Sequence, residues 1–453
     1  MAPCYTAVST LTRGSLGSSM AGRHRSPAAT ACLPGIPHLP LMPSPVIAVA
    51  RTSGSHRHRL RCRRAAAAAV TPLAFREGGS ETNPDLSVGV REQAEAFRLS
   101  QAQRLSNRRG WAVIDKGSNL IPWSHSPGGL RARQVDIRVT HNGLCHTDLH
   151  MRDDDWGVSK FPFIPGHEVV GEVVAIGESV DSVRPGDRVG LGWIADSCRR
   201  CPACLRGREN ICEHGYTGLI VGGNHGGFQE ICRANSDFVY RIPDDLDSAS
   251  AAPLLCAGVT VYAPLRRYLH VPGSRVGVLG IGGLGHLALQ FANKMGGDVT
   301  ALDISQDKEA ESKQLGAHSF RTWNDAVGGE GLQGHFDLLL NCASVNISTA
   351  QLLRLLKNGG KLVQVGIPGG GAVTSAPLQD LVFGQKLVAG SVVGGRADMQ
   401  EMLNFAGTHG VRPMVETMPL SQVNQAMQRV VEGKARYRIV LVSDWEYNMS
   451  YYV

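Results

Sequence analysis

Four cysteines fall within one short stretch: Cys198, Cys201, Cys204 and Cys212, spaced C-x2-C-x2-C-x7-C. Close thiol clusters in an intracellular protein are more often metal sites than disulfides. Two-residue gaps let consecutive thiolates converge on one ion at about 2.3 Å each, and four thiolates match tetrahedral zinc. An iron–sulfur cluster is the local rival, since C-x2-C-x2-C with Cys201-Pro202 is a spacing such clusters use, although their runs put the last Cys after three residues and not seven. Arg199, Arg200, Arg206, Arg208 and Glu209 surround the thiols, so the cluster is expected on an exposed lobe. A second constellation is spread through the chain: Cys145 in GLCHTDLH, His167 in PGHE and Cys256 in PLLCAG. Singly, each is ordinary, because a lone Cys is usually an inert small hydrophobe. Cys232 and Cys342 are read as buried thiols of that kind.

A nucleotide-binding signal is more continuous. RVGVLG, from Arg275, reads as a buried strand running into Gly280-Ile281-Gly282-Gly283-Leu284-Gly285, a G-x-G-x-x-G. A lone match is weak, but its context is right. A helix follows with Leu284, Leu287, Ala288, Phe291 and Met295 on one face, then Gly296-Gly297 and a second strand, Val299 to Asp303, whose acid lies 23 residues after Gly280. In such a βαβ unit the glycines let the backbone approach a pyrophosphate at a helix N-terminus, and the acid can accept the ribose hydroxyls. Asp303 would repel a 2′-phosphate and so favours NAD. Ser305 and Lys308, just beyond it, can hold such a phosphate, so the coenzyme is expected to be NAD or NADP.

The elements that must position these residues follow from the pattern around them. Helix 308–315, strand 336–341, helix 349–356, strand 361–365, helix 378–384 and strand 387–393 continue the alternation and predict a doubly wound parallel sheet. Upstream, residues 135–239 carry short alternating runs such as VDIRV from Val135 and EVVAI from Glu172, with turns such as Arg184-Pro185-Gly186-Asp187, which describe a compact, mostly β domain.

The chain has 453 residues, 43% of them hydrophobic and 19% charged, which allows two or three domains and excludes global disorder. No run of about 18 uncharged apolar residues stands out, so no membrane-spanning helix is expected. The net charge of +7 is unevenly spread: residues 1–76 hold ten Arg and no Lys, Asp or Glu, leaving 36 basic against 39 acidic residues in the rest. A body with net charge −3 has no nucleic-acid footprint, and no nucleic-acid partner is expected. The Arg-, Ser- and Ala-rich, acid-free start has the composition of an organellar transit peptide, with chloroplast favoured over mitochondrion; a disordered basic tail has the same composition. Residues 77–109 read as a linker with a short helix over 90–106, and the folded part is expected to begin near Trp111.

Over about residues 110–442 the sequence resembles the zinc-containing medium-chain alcohol dehydrogenases, in the cinnamyl-alcohol-dehydrogenase-like branch. The resemblance rests, in order, on GLCHTDLH (143–150), PGHEVVG (165–171), the four-Cys lobe, LCAGVT (255–260) and the Gly280 loop. It implies a GroES-like catalytic domain (110–258, with a structural zinc lobe at 195–215), a Rossmann domain (259–395) and a return to the catalytic domain (396–453). It also implies that Cys145, His167 and Cys256 hold a catalytic zinc with an open fourth position, and that Cys198, Cys201, Cys204 and Cys212 hold a structural one, giving two zinc ions per chain. Thr147 resembles the hydroxyl that takes the alcohol proton, His150 a distal member of that relay, Asp148 the carboxylate that orients the ligand His, and Glu168 a group beside the zinc able to exchange as a ligand. A helix N-cap and a surface His are the plainer readings of Thr147 and His150. Trp156, Trp193, His225 and Phe228 are candidate pocket residues. Residues 215–225 depart from the lignin-pathway members, so the implied activity is hydride transfer between NAD(P)(H) and a primary alcohol or aldehyde in general. A homo-oligomer, dimer or tetramer, is implied by the family alone. The rival class is a zinc-stabilised redox-sensing or binding protein that keeps the fold without the chemistry.

Overall fold

A computed structural model describes residues 107–328, 331–367 and 375–445. The basic segment 1–76 and the helix expected over 90–106 lie outside the described residues. Two sheets organise the rest. The first has seven strands, in the order Val415–Pro419, Arg438–Val442, Gln134–Leu144, Glu168–Ile176, Arg188–Leu191 and Val239–Arg241, with Ile231–Asn235 pairing on Gln134–Leu144. Every pairing in it is antiparallel except that between the two C-terminal strands. The alternation in Gln134–Leu144 buries Val135, Ile137 and Val139, as expected for a strand with one face on a core.

The second sheet is parallel throughout, with six strands in the order Ser319–Thr322, Asp298–Asp303, Arg275–Leu279, Phe336–Asn341, Leu356–Gln364 and Leu387–Gly390. Strand order reverses beside Arg275–Leu279, and the crevice beyond its C-terminal end is where ligands bind in open α/β sheets. Gly280 stands there with φ +86, and a Cβ on it would reach 2.9 Å from Ala343. At Gly285, the first residue of helix Gly285–Lys294, a Cβ would collide with the Gly280 carbonyl, so helix and strand approach this closely only with glycine at both places.

Sequence and structure part at several elements. Strand Ser319–Thr322 and helix Trp323–Val327 were not expected; the strand is an edge with one fully buried apolar residue, Phe320, too short for a period to show. Strand pairing stops at Gly390 and does not run to 393. The largest omission is the helix that carries Cys256. It runs as Ser248–Pro253, a π-helical turn Leu254–Gly258, and Val259–Tyr268. Most of its length is buried, and Pro253 and Pro264 inside it disguise it as a broken segment. By length and composition it could cross a membrane, but its burial marks it as a core helix. The boundary expected between 258 and 259 therefore falls inside one continuous helix. Of the segment expected to return after 396, strands Val415–Pro419 and Arg438–Val442 join the first sheet, while helix Arg396–His409 packs on Val259–Tyr268.

Candidate active site

The long strand Gln134–Leu144 delivers Cys145 to the start of helix His146–Arg152, and His167 immediately precedes strand Glu168–Ile176. Cys256 sits on the π-helical turn, a distortion frequent at functional sites. These three elements bring donor atoms of Cys145, His167, Glu168 and Cys256 within 4.8 Å of one another. The two Sγ atoms are 4.0 Å apart, and His167 Nε2 is 3.3 Å from Cys256 Sγ. Asp148, fully buried, organises the set: it accepts from His167 Nδ1 (3.0 Å), Gly166 N (2.9 Å) and Cys145 N (3.0 Å). A carboxylate on Nδ1 fixes the ring tautomer and turns the Nε2 lone pair toward the sulfurs.

Electrostatics show what this donor set lacks. The hydrogen bond from Cys256 and the Arg438 guanidinium, acting against burial, hold the Cys145 thiol well below the usual range. The same hydrogen bond, together with burial, pushes Cys256 well above it. One thiolate is accommodated and the second is not, which is the condition that a divalent cation relieves; two thiolates and a neutral imidazole are also the donors that zinc takes. Burial raises the Glu168 carboxyl to about 8 although Arg438 opposes it. Glu168 Oε1 ion-pairs with Arg438, while Oε2 is buried without a partner. Arg438 Nη1 lies 3.9 Å from Cys145 Sγ. Sequence reasoning missed Arg438, and the signal was available: a cation opening the otherwise apolar strand Arg438-Ile439-Val440-Leu441-Val442.

Thr147 is half-buried on the first turn of helix His146–Arg152, and His150, three residues on, shares its face. His150 Nδ1 is 2.6 Å from Asp155 Oδ2, and its ring packs on His146 and Trp156. Asp155 is a second residue that sequence reasoning passed over. Trp193 meets His167 edge-on, with centroids 5.4 Å apart, and donates from Nε1 to Tyr216 OH (3.1 Å). Phe228 is core, fully buried against Gly166, and His225 belongs to an aromatic cluster with Trp123 and His125.

The glycine loop borders a cavity of about 310 Å³ lined by Gly282, Gly283, Lys308, Lys434, Arg436 and Tyr437 among others. A Cβ at Gly282 would meet nothing within 4 Å, so its backbone faces open space of the kind a pyrophosphate needs. Ile281 is buried, Leu284 packs at the core margin, and Ser305 follows Asp303, its hydroxyl accepting from Asp307 N at 3.3 Å. A Cβ at Gly283 would come 3.1 Å from Arg438 Nη1, so this arginine joins the loop to the thiol cluster. Asp303 lies at the loop. Its carboxylate accepts from Ile281 N (2.7 Å), Ile304 N (2.8 Å), Ser305 N (3.3 Å) and Lys308 Nζ (3.3 Å). Through these contacts it caps the loop, and Lys308 offsets its charge.

The four-Cys lobe is framed by the ribbon Ile194–Ser197 and Tyr216–Gly218. All four thiols are free and lie within 4.8 Å of one another, with Sγ separations of 3.9 Å (Cys198–Cys204) and 4.0 Å (Cys201–Cys212). Four ligands at about 2.3 Å in a tetrahedron stand about 3.8 Å apart. The lobe therefore has room for one ion and none for a cluster of iron and sulfide. Main-chain N–H groups of Cys204 and Glu213 lower the Cys201 thiol to about 6, and burial raises Cys204 to about 12.

Residues 131–244 match the alcohol dehydrogenase GroES-like domain, and residues 283–408 match the zinc-binding dehydrogenase family. The chain is 41% identical over 319 residues to a probable formaldehyde dehydrogenase of Bacillus subtilis, covering 69% of this chain and 91% of that one. It is 40% identical over 339 residues to cinnamyl alcohol dehydrogenase 7 of Arabidopsis thaliana, covering 73% and 94%. Among solved structures, a cinnamyl alcohol dehydrogenase of Sorghum bicolor superposes with a TM-score of 0.70 at 40% identity, covering 76% of this chain and all of that one. One from Helicobacter pylori, solved with NADP(H), gives 0.69 at 27% identity, covering 74% and 98%. With a GroES-like sheet, a parallel nucleotide-binding sheet and these relatives, the chain belongs to the zinc-containing, NAD(P)-dependent medium-chain alcohol dehydrogenases, in their cinnamyl-alcohol-dehydrogenase-like branch.

Proposed function

We propose that this alcohol dehydrogenase uses two zinc ions per chain, a catalytic one held by Cys145, His167 and Cys256 and a structural one held by Cys198, Cys201, Cys204 and Cys212, and that it interconverts primary alcohols and aldehydes. The observation carrying the reading is the convergence of two thiols and a carboxylate-backed imidazole, joined by Arg438 to an open glycine loop. When bound, zinc supplies Lewis acidity that lowers the alcohol's pKa, and the nicotinamide accepts the hydride. The protein does the rest. Asp148 keeps the His167 tautomer and aim. Thr147 takes the substrate hydroxyl proton and passes it toward His150, whose Nδ1 is braced by Asp155, so that the proton leaves at the surface. Arg438 holds Glu168 beside the thiols and places positive charge at Gly283, where it would attract the coenzyme pyrophosphate.

Because Lys308 offsets Asp303, we read the site as accepting both NAD and NADP. We assign the homo-oligomer to a dimer formed along strand Leu387–Gly390, the last of the described parallel sheet, beside helix Leu378–Gly384 with Leu378, Val382 and Phe383 exposed. Residues 1–76 are proposed to be a chloroplast transit peptide; a fluorescent fusion that stays diffuse in the cytosol refutes that address. The central test is elemental analysis of the purified protein with an aldehyde panel assayed with NADH and NADPH. Two zinc ions per chain and aldehyde turnover are expected. A single zinc, iron with acid-labile sulfide, or no turnover of any aldehyde overturns the reading.

A further inference from the structure

A second cavity, of about 380 Å³, lies between the four-Cys lobe, the C-terminal end of helix Val259–Tyr268 and the start of helix Arg396–His409. Arg206 and Arg208 enter it from the lobe, Arg266, Arg267 and His270 from the first helix and the turn after it, and Asp398 and Glu401 from the second. The acids are already engaged. Glu401 accepts from Arg266 Nε (2.5 Å) and Tyr262 OH (2.9 Å), and Asp398 caps its own helix by accepting from Gly395 N (3.2 Å). Arg206, Arg208 and Arg267 have no ion-pair or side-chain hydrogen-bond partner among the described residues, and Arg208 Nε is buried without one. Unpaired arginines on a convex face are simply hydrated. Here three converge on one concavity from two segments, over a floor of small residues, Gly207, Ala263 and Ala397.

We propose that this cleft is a binding site for a phosphate-bearing small molecule. Guanidinium forks match the oxygens of phosphate in parallel pairs, and a buried Nε–H without a partner is the donor such an oxygen satisfies. The volume exceeds what one inorganic phosphate fills, so pyrophosphate or a phosphorylated metabolite fits better than phosphate alone. The cleft shares no lining residue with the cavity beside the glycine loop, so its occupant is not the coenzyme in its usual seat. An occupant would tie the lobe to the helix that carries Cys256, adding to the ion pair between the lobe and helix Arg396–His409, Glu209 with Arg396 at 2.8 Å.

The test uses the zinc-loaded full chain in phosphate-free buffer, saturated with NADH so that the glycine loop is filled. Calorimetric titration with inorganic phosphate and with pyrophosphate is run at constant ionic strength, with sodium chloride as the control arm. Saturable binding is expected, tighter for pyrophosphate, and the double variant Arg206→Ala/Arg267→Ala should weaken it at least about tenfold. Both side chains reach solvent, so the variant should keep the Tm of the parent in the absence of ligand. Two results overturn the site: no saturable heat for either ligand, or equal affinity in parent and variant. A preference for inorganic phosphate over pyrophosphate overturns the assignment of a larger phosphorylated ligand.

Discussion

The lobe draws its four thiols from neighbouring turns of one loop, whereas Cys145 and Cys256 meet across 111 positions of sequence. The lobe is braced by local N–H groups, with Cys201 N donating to Cys198 Sγ at 3.3 Å, and its one buried carboxylate among the described residues, Glu209, is turned to Arg396. The distant cluster is wrapped in buried charge: Asp148, Glu168 and Arg438 are all buried around it. A locally built site can hold an ion tightly as a structural staple. A site assembled from three elements can be tuned and left open to substrate, at the cost of depending on the whole fold.

Exchanging one thiol in each region is the strongest way to break this comparison. Cys145→Ala should abolish turnover, lowering kcat/KM to background, while circular dichroism and Tm stay close to the parent. Cys204→Ala should instead lower Tm by more than about 5 °C, because the lobe loses its closed set of four ligands. A chelator should separate the two in time, removing activity before Tm falls. If Cys145→Ala unfolds the protein while Cys204→Ala is silent, the roles are reversed.

The same contrast governs what could be read in advance. The lobe was legible because its chemistry lies in spacing alone, and the glycine loop because its strand and helix flank it directly. Cys145, His167 and Cys256 gained meaning only from their joint resemblance to a family. Arg438 escaped because its only local mark, a cation opening an apolar strand, says nothing of what it meets; the pairing of Arg438–Val442 against Gln134–Leu144 brings it to Cys145. Asp155 was hidden as one of three consecutive acids, Asp153 to Asp155. The Cys256 helix escaped for a different reason, because Pro253 and Pro264 within it read as breaks in a sequence that is in fact continuous helix.

Arg438 tests how far the distant cluster depends on the buried charge packed against its thiols. Arg438→Met removes one partner of a buried pair and leaves Glu168 without its counter-ion, a change that typically costs about 3–5 kcal/mol. A fall in Tm on the order of 10 °C is expected, with Glu168→Gln in the same chain restoring part of it. Additive losses in the double variant would show that the two side chains do not act as a pair. A smaller effect is expected at Asp148. Asp148→Asn keeps an acceptor for one N–H but weakens the hold on His167, so zinc affinity or kcat/KM should fall about 10–100-fold. Tm in the zinc-loaded state should move little, and an unchanged zinc affinity and turnover would remove Asp148 from the site.

The smallest effect concerns Asp303, which stands between the two kinds of construction: near the glycine loop in space, but holding it through contacts 22 and 27 residues apart in sequence, from Asp303 to Ile281 and from Ile281 to Lys308. Lys308 Nζ donates to both the Ile281 carbonyl (2.7 Å) and Asp303. In the parent, the carboxylate repels a 2′-phosphate and the ammonium attracts it, so NADH and NADPH should be used with kcat/KM values within about tenfold of each other. Asp303→Ser removes the repulsion and frees Lys308, and the ratio of kcat/KM for NADPH over NADH should rise about tenfold. Lys308→Met should move the ratio the other way by a similar factor. A parent enzyme that already prefers NADPH strongly and is indifferent to Asp303→Ser would mean that the carboxylate only caps the loop, and that coenzyme choice is made by Lys434 and Arg436 on the far side of the cavity.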